Sequence, residues 1–235
     1  MNSMKLHDHV IVLTGATSGL GLALAERLQS EGCRLVVSSQ DGFKVRALAR
    51  RLKCLGVKAD VTKEQQMRSL ATKVRKLYGH IDVWINNAGI SMLQGEIEDI
   101  STREAHRLME VNYFGTLYGS REAVRIMKAR KSGIIINILS KGCLEDHPNA
   151  MSLNYYASKA AADALTRGLQ KSLIPDGITV IGVYPGGIKT KLHGLRRRKN
   201  YHEFMEASYV ADKVVTNLQA NHPKQKLVIW QPQRS

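Results

Sequence analysis

Thr14-Gly15-Ala16-Thr17-Ser18-Gly19-Leu20-Gly21 is the stretch whose reading decides the fold. It follows an apolar run at residues 10–14 and precedes an amphipathic stretch at 20–31, so it joins a buried strand to a helix. Glycine permits a tight turn there and lets backbone approach a ligand closely. The first helical turn then offers unpaired N–H groups and a dipole that favours negative charge. The spacing is GxxxGxG, a variant of the commoner GxGxxG, and its strand–turn–helix setting is that of a dinucleotide cradle.

Outward from this turn, strand-like and helix-like stretches alternate to the end of the chain. Further strands are predicted at 34–38, 56–59, 83–86, 134–139, 179–184 and 226–230. Helices are predicted at 44–52, 63–78, 102–130, 155–173 and 209–220. Continuous apolar strands separated by helices imply a parallel sheet covered on both faces. The expectation is an α/β, doubly wound, three-layer fold of about seven strands. With no Pro/Gly/Ser-rich linker, residues 1–235 read as a single domain. The least regular stretch, 185–206, follows a strand end and is expected to form a lid over a substrate.

Composition excludes several classes. The 235 residues are 43% hydrophobic and 23% charged with only 5 Pro, which argues against long disorder. No apolar run is long enough to span a bilayer. Cys33, Cys54 and Cys143 form no CxxC pair and leave an odd thiol, so a cytoplasmic location is expected. No HExxH or Cys/His cluster occurs, and no metal site is expected. The net charge of +15 is spread over several helices, with one tight run at Arg196, Arg197, Arg198 and Lys199. Without a nucleic-acid-binding motif this reads as a basic surface, not a nucleic-acid interface. The arginine run either docks an anionic partner or is a solvated loop.

The remaining motifs carry a family resemblance. Ala59-Asp60-Val61 follows the third strand, and Asn86-Asn87-Ala88-Gly89 the fourth. Asn112 lies in Glu110-Val111-Asn112-Tyr113, and Ser140 closes Ile135-Ile136-Asn137-Ile138-Leu139-Ser140. Tyr155-Tyr156-Ala157-Ser158-Lys159 is a YxxxK, followed by Pro185-Gly186-Gly187-Ile188-Lys189-Thr190. Together with the glycine turn, over roughly residues 8–190, this order resembles the short-chain dehydrogenase/reductase family. The resemblance implies hydride transfer between nicotinamide and a carbonyl/alcohol pair on a small molecule, in a homodimer or homotetramer. It also implies a catalytic set of Asn112, Ser140, Tyr155 and Lys159. The rival is a catalytically silent, cofactor-binding regulator, against which the intact catalytic set argues.

Tyr155 and Lys159, four apart on a predicted helix, share one face. A phenol of pKa ~10 is a poor base at neutral pH, and a nearby ammonium lowers that value. Tyr155 is therefore expected to act as general acid/base, with Ser140 holding the substrate oxygen as an oxyanion donor does. By the resemblance, Lys159 also binds the nicotinamide ribose and Asn112 holds a water in a proton relay. Tyr156 is close enough to Lys159 to compete, but the motif spacing selects Tyr155. The cofactor set implied is Thr14, Gly15, Thr17, Ser18, Gly19, Leu20 and Gly21; Ser39 and Gln40; Asp60 and Val61 at adenine; and Asn87, Ala88 and Gly89. Tyr155 and Lys159 join it, as do Pro185, Gly186, Ile188 and, at the carboxamide, Thr190.

Ser39 stands where an acid would select NAD by binding the ribose hydroxyls and repelling a 2′-phosphate. Lys44 and Arg46 are near, as is Asp41, so NADP(H) is favoured and NAD(H) stays open. The substrate is not identified by the sequence. Ser91, Met92, Cys143, Leu144, His147, Gly187, Leu192 and His193 are its candidate pocket residues.

Overall fold

The computed structural model describes residues 5–92, 97–144, 152–190 and 201–230. Its elements run β1 (Val10–Thr14), α1 (Gly19–Ser30), β2 (Arg34–Ser39), α2 (Gly42–Leu52), β3 (Leu55–Lys58), α3 (Glu64–Tyr78) and β4 (Val83–Asn86). There follow α4 (Thr102–Met109), α5 (Gly115–Met127), β5 (Gly133–Ile138), α6 (Leu153–Ser172), β6 (Ile178–Pro185), α7 (Ala207–Gln219) and β7 (Lys226–Ile229).

The strands form one parallel sheet of seven in the order β3-β2-β1-β4-β5-β6-β7. This is the doubly wound arrangement expected from the alternating pattern. Alternate residues of each strand feed opposite cores. Ile11 and Leu13 pack with Leu24 and Leu28 of α1 and Val210 and Val214 of α7. Val10 and Val12 pack with Leu70 and Val74 of α3 and Met127 of α5. Each fully buried aliphatic side chain stabilises the fold by about 1.5–3 kcal/mol, which is why the strands are apolar on both faces.

The chain order reverses between β1 and β4, so their carboxyl ends splay helices to opposite sides and leave a crevice. Beneath it a polar network ties the centre of the sheet to the helices. Asn86 Nδ2 donates to Asn137 Oδ1 at 2.8 Å and to Ser120 Oγ at 3.0 Å. Asn86 Oδ1 accepts from the fully buried Trp84 Nε1 at 2.8 Å, and Asn137 Nδ2 donates to Thr166 Oγ1 at 2.9 Å. Paired in this way, these groups avoid the desolvation cost of unmet buried polar atoms.

Three expectations change. The helix predicted over 102–130 is broken into α4 and α5 by a π-turn at Glu110–Phe114, and a 3₁₀ turn occupies Lys128–Arg130. A π-turn inserts one residue without disturbing the apolar stripe enough to be seen in the sequence. Helix α6 begins at Leu153, which places Tyr155 inside its first turn and not at its start. The irregular stretch at 185–206 is partly ordered: Ile188 bridges Met205, and Tyr201–Glu203 forms a 3₁₀ turn. Residues 191–200, including the arginine run at 196–199, lie outside the described residues.

Candidate active site

A cleft of about 970 Å³ opens at the carboxyl ends of the strands. Its first wall is the glycine turn. Gly15 has φ +63, and a Cβ there would lie 2.7 Å from Ala88 Cα, so the turn can pass this closely under the β4 end only as glycine. Asn87 fixes the approach, its Nδ2 donating to Thr14 O at 3.0 Å and to Gly15 O at 3.1 Å. Thr17, Ser18, Gly19, Leu20 and Gly21 continue the wall into α1. Ser18 caps α1 in extended conformation without a side-chain cap bond, and the first turn carries no acid. Its N–H groups and dipole are thus left for an anion.

The second wall comes from the ends of β2 and β3. Ser39 and Gln40 line it with Asp60 and Val61. Ser39 Oγ lies 3.0 Å from Thr17 Oγ1, and Asp60 Oδ1 accepts from Thr62 N and Thr62 Oγ1 in a tight local turn. Asp41 is committed elsewhere. Its Oδ1 accepts from Phe43 N and Lys44 N at 3.0 Å each, capping α2, and its Oδ2 lies 3.1 Å from Lys44 Nζ. The Lys44 backbone N–H, then the Lys44 ammonium, hold this carboxyl below the usual range. A Cβ on Gly42 would meet Arg46 Nη1 and Lys58 Cδ, both at 3.1 Å; Lys58 pairs in register with Ser39, and neither basic side chain is on the cleft lining itself.

At the opposite end, Ser140, Tyr155 and Lys159 line the cleft with Ala88 and Gly89. Lys159 is buried and its Nζ donates to Ile138 O at 2.8 Å. Burial pulls the ammonium down from its ordinary 10.5 to about 8, against a smaller opposing effect of Cys143. Ser140 Oγ accepts from Gly142 N at 3.3 Å. Pro185, Gly186, Ile188 and Thr190 close this side, with the Thr190 methyl against Gly19.

Two residues of the expected set stand behind the wall. Thr14 is buried, and its Oγ1 accepts from Asn87 N and Ala88 N at 3.1 and 3.2 Å while donating to Ile85 O. Asn112 is buried in the π-turn. Its Nδ2 donates to Ile90 O at 2.9 Å and Ser158 Oγ at 3.0 Å, and its Oδ1 accepts from Ile90 N at 2.9 Å. Both amide hydrogens are therefore used in holding the Gly89–Ile90 wall to α6, and neither is left to donate to a relay water.

Of the expected pocket residues, Ser91, Met92 and Gly187 line the cleft. Cys143 and Leu144 do not. Cys143 sits half-buried behind Ser140, its thiol pushed up to about 11 by burial, and Leu144 faces outward. His147, Leu192 and His193 lie outside the described residues. The sequence reading missed Arg107 and Trp230 on the lining, and it placed Lys141 and Phe204 only within loops expected near the substrate, without singling them out. No motif marks them; only the register of β7 on β6, Pro185 opposite Ile229, carries Trp230 to the rim.

Comparison with known proteins identifies the family and supports the fold. The short chain dehydrogenase family model matches residues 9–200. An uncharacterised oxidoreductase of Staphylococcus saprophyticus is 34% identical over 197 residues, covering 81% of this chain and 83% of that protein. Another, from Staphylococcus aureus, is 35% identical over 190 residues, covering 80% and 81%. A crystal structure of a short-chain dehydrogenase from Streptomyces avermitilis superposes with a TM-score of 0.84 at 27% identity, covering 97% of this chain and 90% of that one. An alcohol dehydrogenase from Thermococcus sibiricus, complexed with 5-hydroxy-NADP, shares the fold at a TM-score of 0.87 and 24% identity, covering 97% and 100%. The chain belongs to the short-chain dehydrogenase family of oxidoreductases. Among the described residues no helix is long and apolar enough to cross a membrane, and no group of His, Cys, Asp and Glu is placed to hold a metal ion.

Proposed function

We propose that this chain, read as one dinucleotide-binding domain, is an NADP(H)-dependent oxidoreductase that interconverts a carbonyl and an alcohol. The observation that carries the proposal is convergence: Ser140, Tyr155 and Lys159 line the same cleft as the uncapped, acid-free start of α1. The residues present fit a nicotinamide dinucleotide. The α1 start suits the pyrophosphate, Asp60 and Val61 the adenine, and Gly186, Ile188 and Thr190 the nicotinamide end. Once bound, the reduced cofactor supplies hydride to the carbonyl carbon.

The chain's own groups manage the charge that develops on oxygen. Ser140 Oγ donates to that oxygen and Tyr155 gives it a proton, while the Lys159 ammonium stabilises the phenolate left behind. The Asn112 clamp keeps the Gly89–Ile90 backbone, and so the floor beneath Lys159, in place. Preference for NADP(H) rests on the Ser39–Gln40 corner, where no acid among the described residues faces the adenine ribose, the carboxylate of Asp41 is occupied by the α2 cap, and Arg46 and Lys58 meet at nearby Gly42.

Titrating the protein with NADPH and NADH while following nicotinamide fluorescence tests the cofactor reading; tighter NADPH binding is expected. Tyr155→Phe should lower carbonyl reduction by about 10²–10⁴-fold with NADPH affinity kept. Unchanged turnover in that variant would overturn the mechanism and favour a silent binding protein.

A further inference from the structure

The cleft's catalytic end is walled by aromatic rings laid on glycine backbone. A Cβ on Gly187 would lie 2.5 Å from Phe204 Cδ1, one on Gly186 would lie 3.2 Å from Trp230 Cδ1, and one on Gly142 would lie 1.8 Å from Tyr156 Cε1. The Phe204 and Tyr156 rings therefore occupy space that only a missing side chain opens, and the Trp230 ring lies in tight contact with Gly186. Backbone bonds fix two of them: Gly186 N donates to Ile229 O at 2.9 Å beside Trp230, and Met205 N donates to Gly187 O at 2.9 Å beside Phe204. Tyr156 packs edge-to-face on Tyr155 at 5.7 Å, and Lys141, the neighbour of Ser140, places Nζ 4.9 Å from the Trp230 ring centre. Among the described residues Trp230 is 55% exposed, a large aromatic face at the cleft rim.

Phe204 and Trp230 lie beyond residues 9–200, which match the family model, whereas Tyr156 lies within the YxxxK segment. We propose that Tyr156, Phe204 and Trp230 form a stacking subsite that selects carbonyl substrates bearing a planar aromatic ring next to the reacting carbon. The proposal rests on the carbonyl-reduction reading for its chemistry but not for its binding. Rigid aromatic faces gain from a ring by offset or edge stacking, beyond the area they bury. A flexible alkyl chain gains only the area and loses rotamer freedom on binding.

The test compares acetophenone with 2-octanone, ketones of equal carbon count. Dissociation constants are measured by calorimetry on the protein–NADP⁺ complex, and NADPH oxidation is followed separately. Acetophenone is expected to bind about tenfold more tightly. That preference should vanish in Trp230→Leu, and in Phe204→Leu as an independent variant, with melting temperature and NADP⁺ affinity checked in each. Equal binding, tighter binding of 2-octanone, or no binding of either overturns the subsite. If acetophenone binds preferentially yet neither ketone oxidises NADPH, the subsite stands and the carbonyl-reduction reading falls.

Discussion

Lys159 lies fully buried with one backbone acceptor, and its folded pKa of about 8 sits below the ordinary 10.5. The unfolded chain thus binds more protons between those values, so this group's stabilising contribution is complete above pH 10.5 and is lost as pH falls through about 8. Keeping the ammonium charged at neutral pH therefore costs stability, roughly 3 kcal/mol by the size of the shift. Lys159→Met is expected to raise the melting temperature at pH 7 by a few degrees while removing turnover, a trade of stability for function visible in one variant. In the intact protein, kcat/KM for reduction should fall on an alkaline limb near pH 8, where the ammonium that stabilises the Tyr155 phenolate is lost. A flat profile through pH 9 would separate Lys159 from the chemistry. Asp41 poses the complementary case. If its carboxylate served the adenine ribose, Asp41→Ala would weaken NADH binding at least tenfold, on the scale of a lost charged hydrogen bond. As a helix cap, its loss should instead lower the melting temperature and leave the NADPH-to-NADH ratio unchanged or higher. The sequence reading began this helix at residue 44, so the N-cap role of Asp41 emerged only with the start of α2 at Gly42.

At the scale of elements, the π-turn at Glu110–Phe114 turns Asn112 inward, where one amide satisfies both backbone groups of Ile90 and the Ser158 hydroxyl. Asn112→Ala would leave the part-buried Ile90 N and O without this partner, costing about 1–3 kcal/mol. Thermal unfolding should shift down by roughly 5–10 °C. Asn112→Asp is expected to do no better, because it keeps the acceptor for Ile90 N but faces Ile90 O with a second oxygen. A shift within 1–2 °C, about the effect of an ordinary surface change, would mean that the π-turn does not depend on the clamp. The strands were legible as unbroken apolar runs such as Val10–Thr14, and the glycine turn fixed their sense. The break within 102–130 was not, because one inserted residue shifts the helical stripe by only a fraction of a turn. Nor could spacing bring Arg107 and Trp230 to the cleft, since sheet order and strand register decide that, and neither has a local signature. Asn112 was legible as a site residue by motif, whereas its bonding to Ile90 needed the fold.

Over the whole molecule the charge is +15, while the proposed cofactor is a polyanion. Two effects of that field can be separated. A diffuse positive potential speeds the approach of any anionic dinucleotide and is screened over about 10 Å at ordinary ionic strength. The proposed phosphate corner at Ser39–Gln40, drawing on Arg46 and Lys58 beside Gly42, would act only on the 2′-phosphate that distinguishes NADPH from NADH. Raising salt from roughly 50 to 500 mM should therefore weaken both cofactors in parallel if only the diffuse field operates. With the corner present, NADPH binding should weaken about five- to tenfold more than NADH binding across that range. Arg46→Ala with Lys58→Ala removes two of the 35 basic side chains, too few to alter the diffuse field much. That double variant should bring the NADPH salt curve onto the NADH curve. If it lowers both curves equally, the basic surface steers dinucleotides without reading the phosphate, and the cofactor preference must be sought elsewhere on the cleft wall.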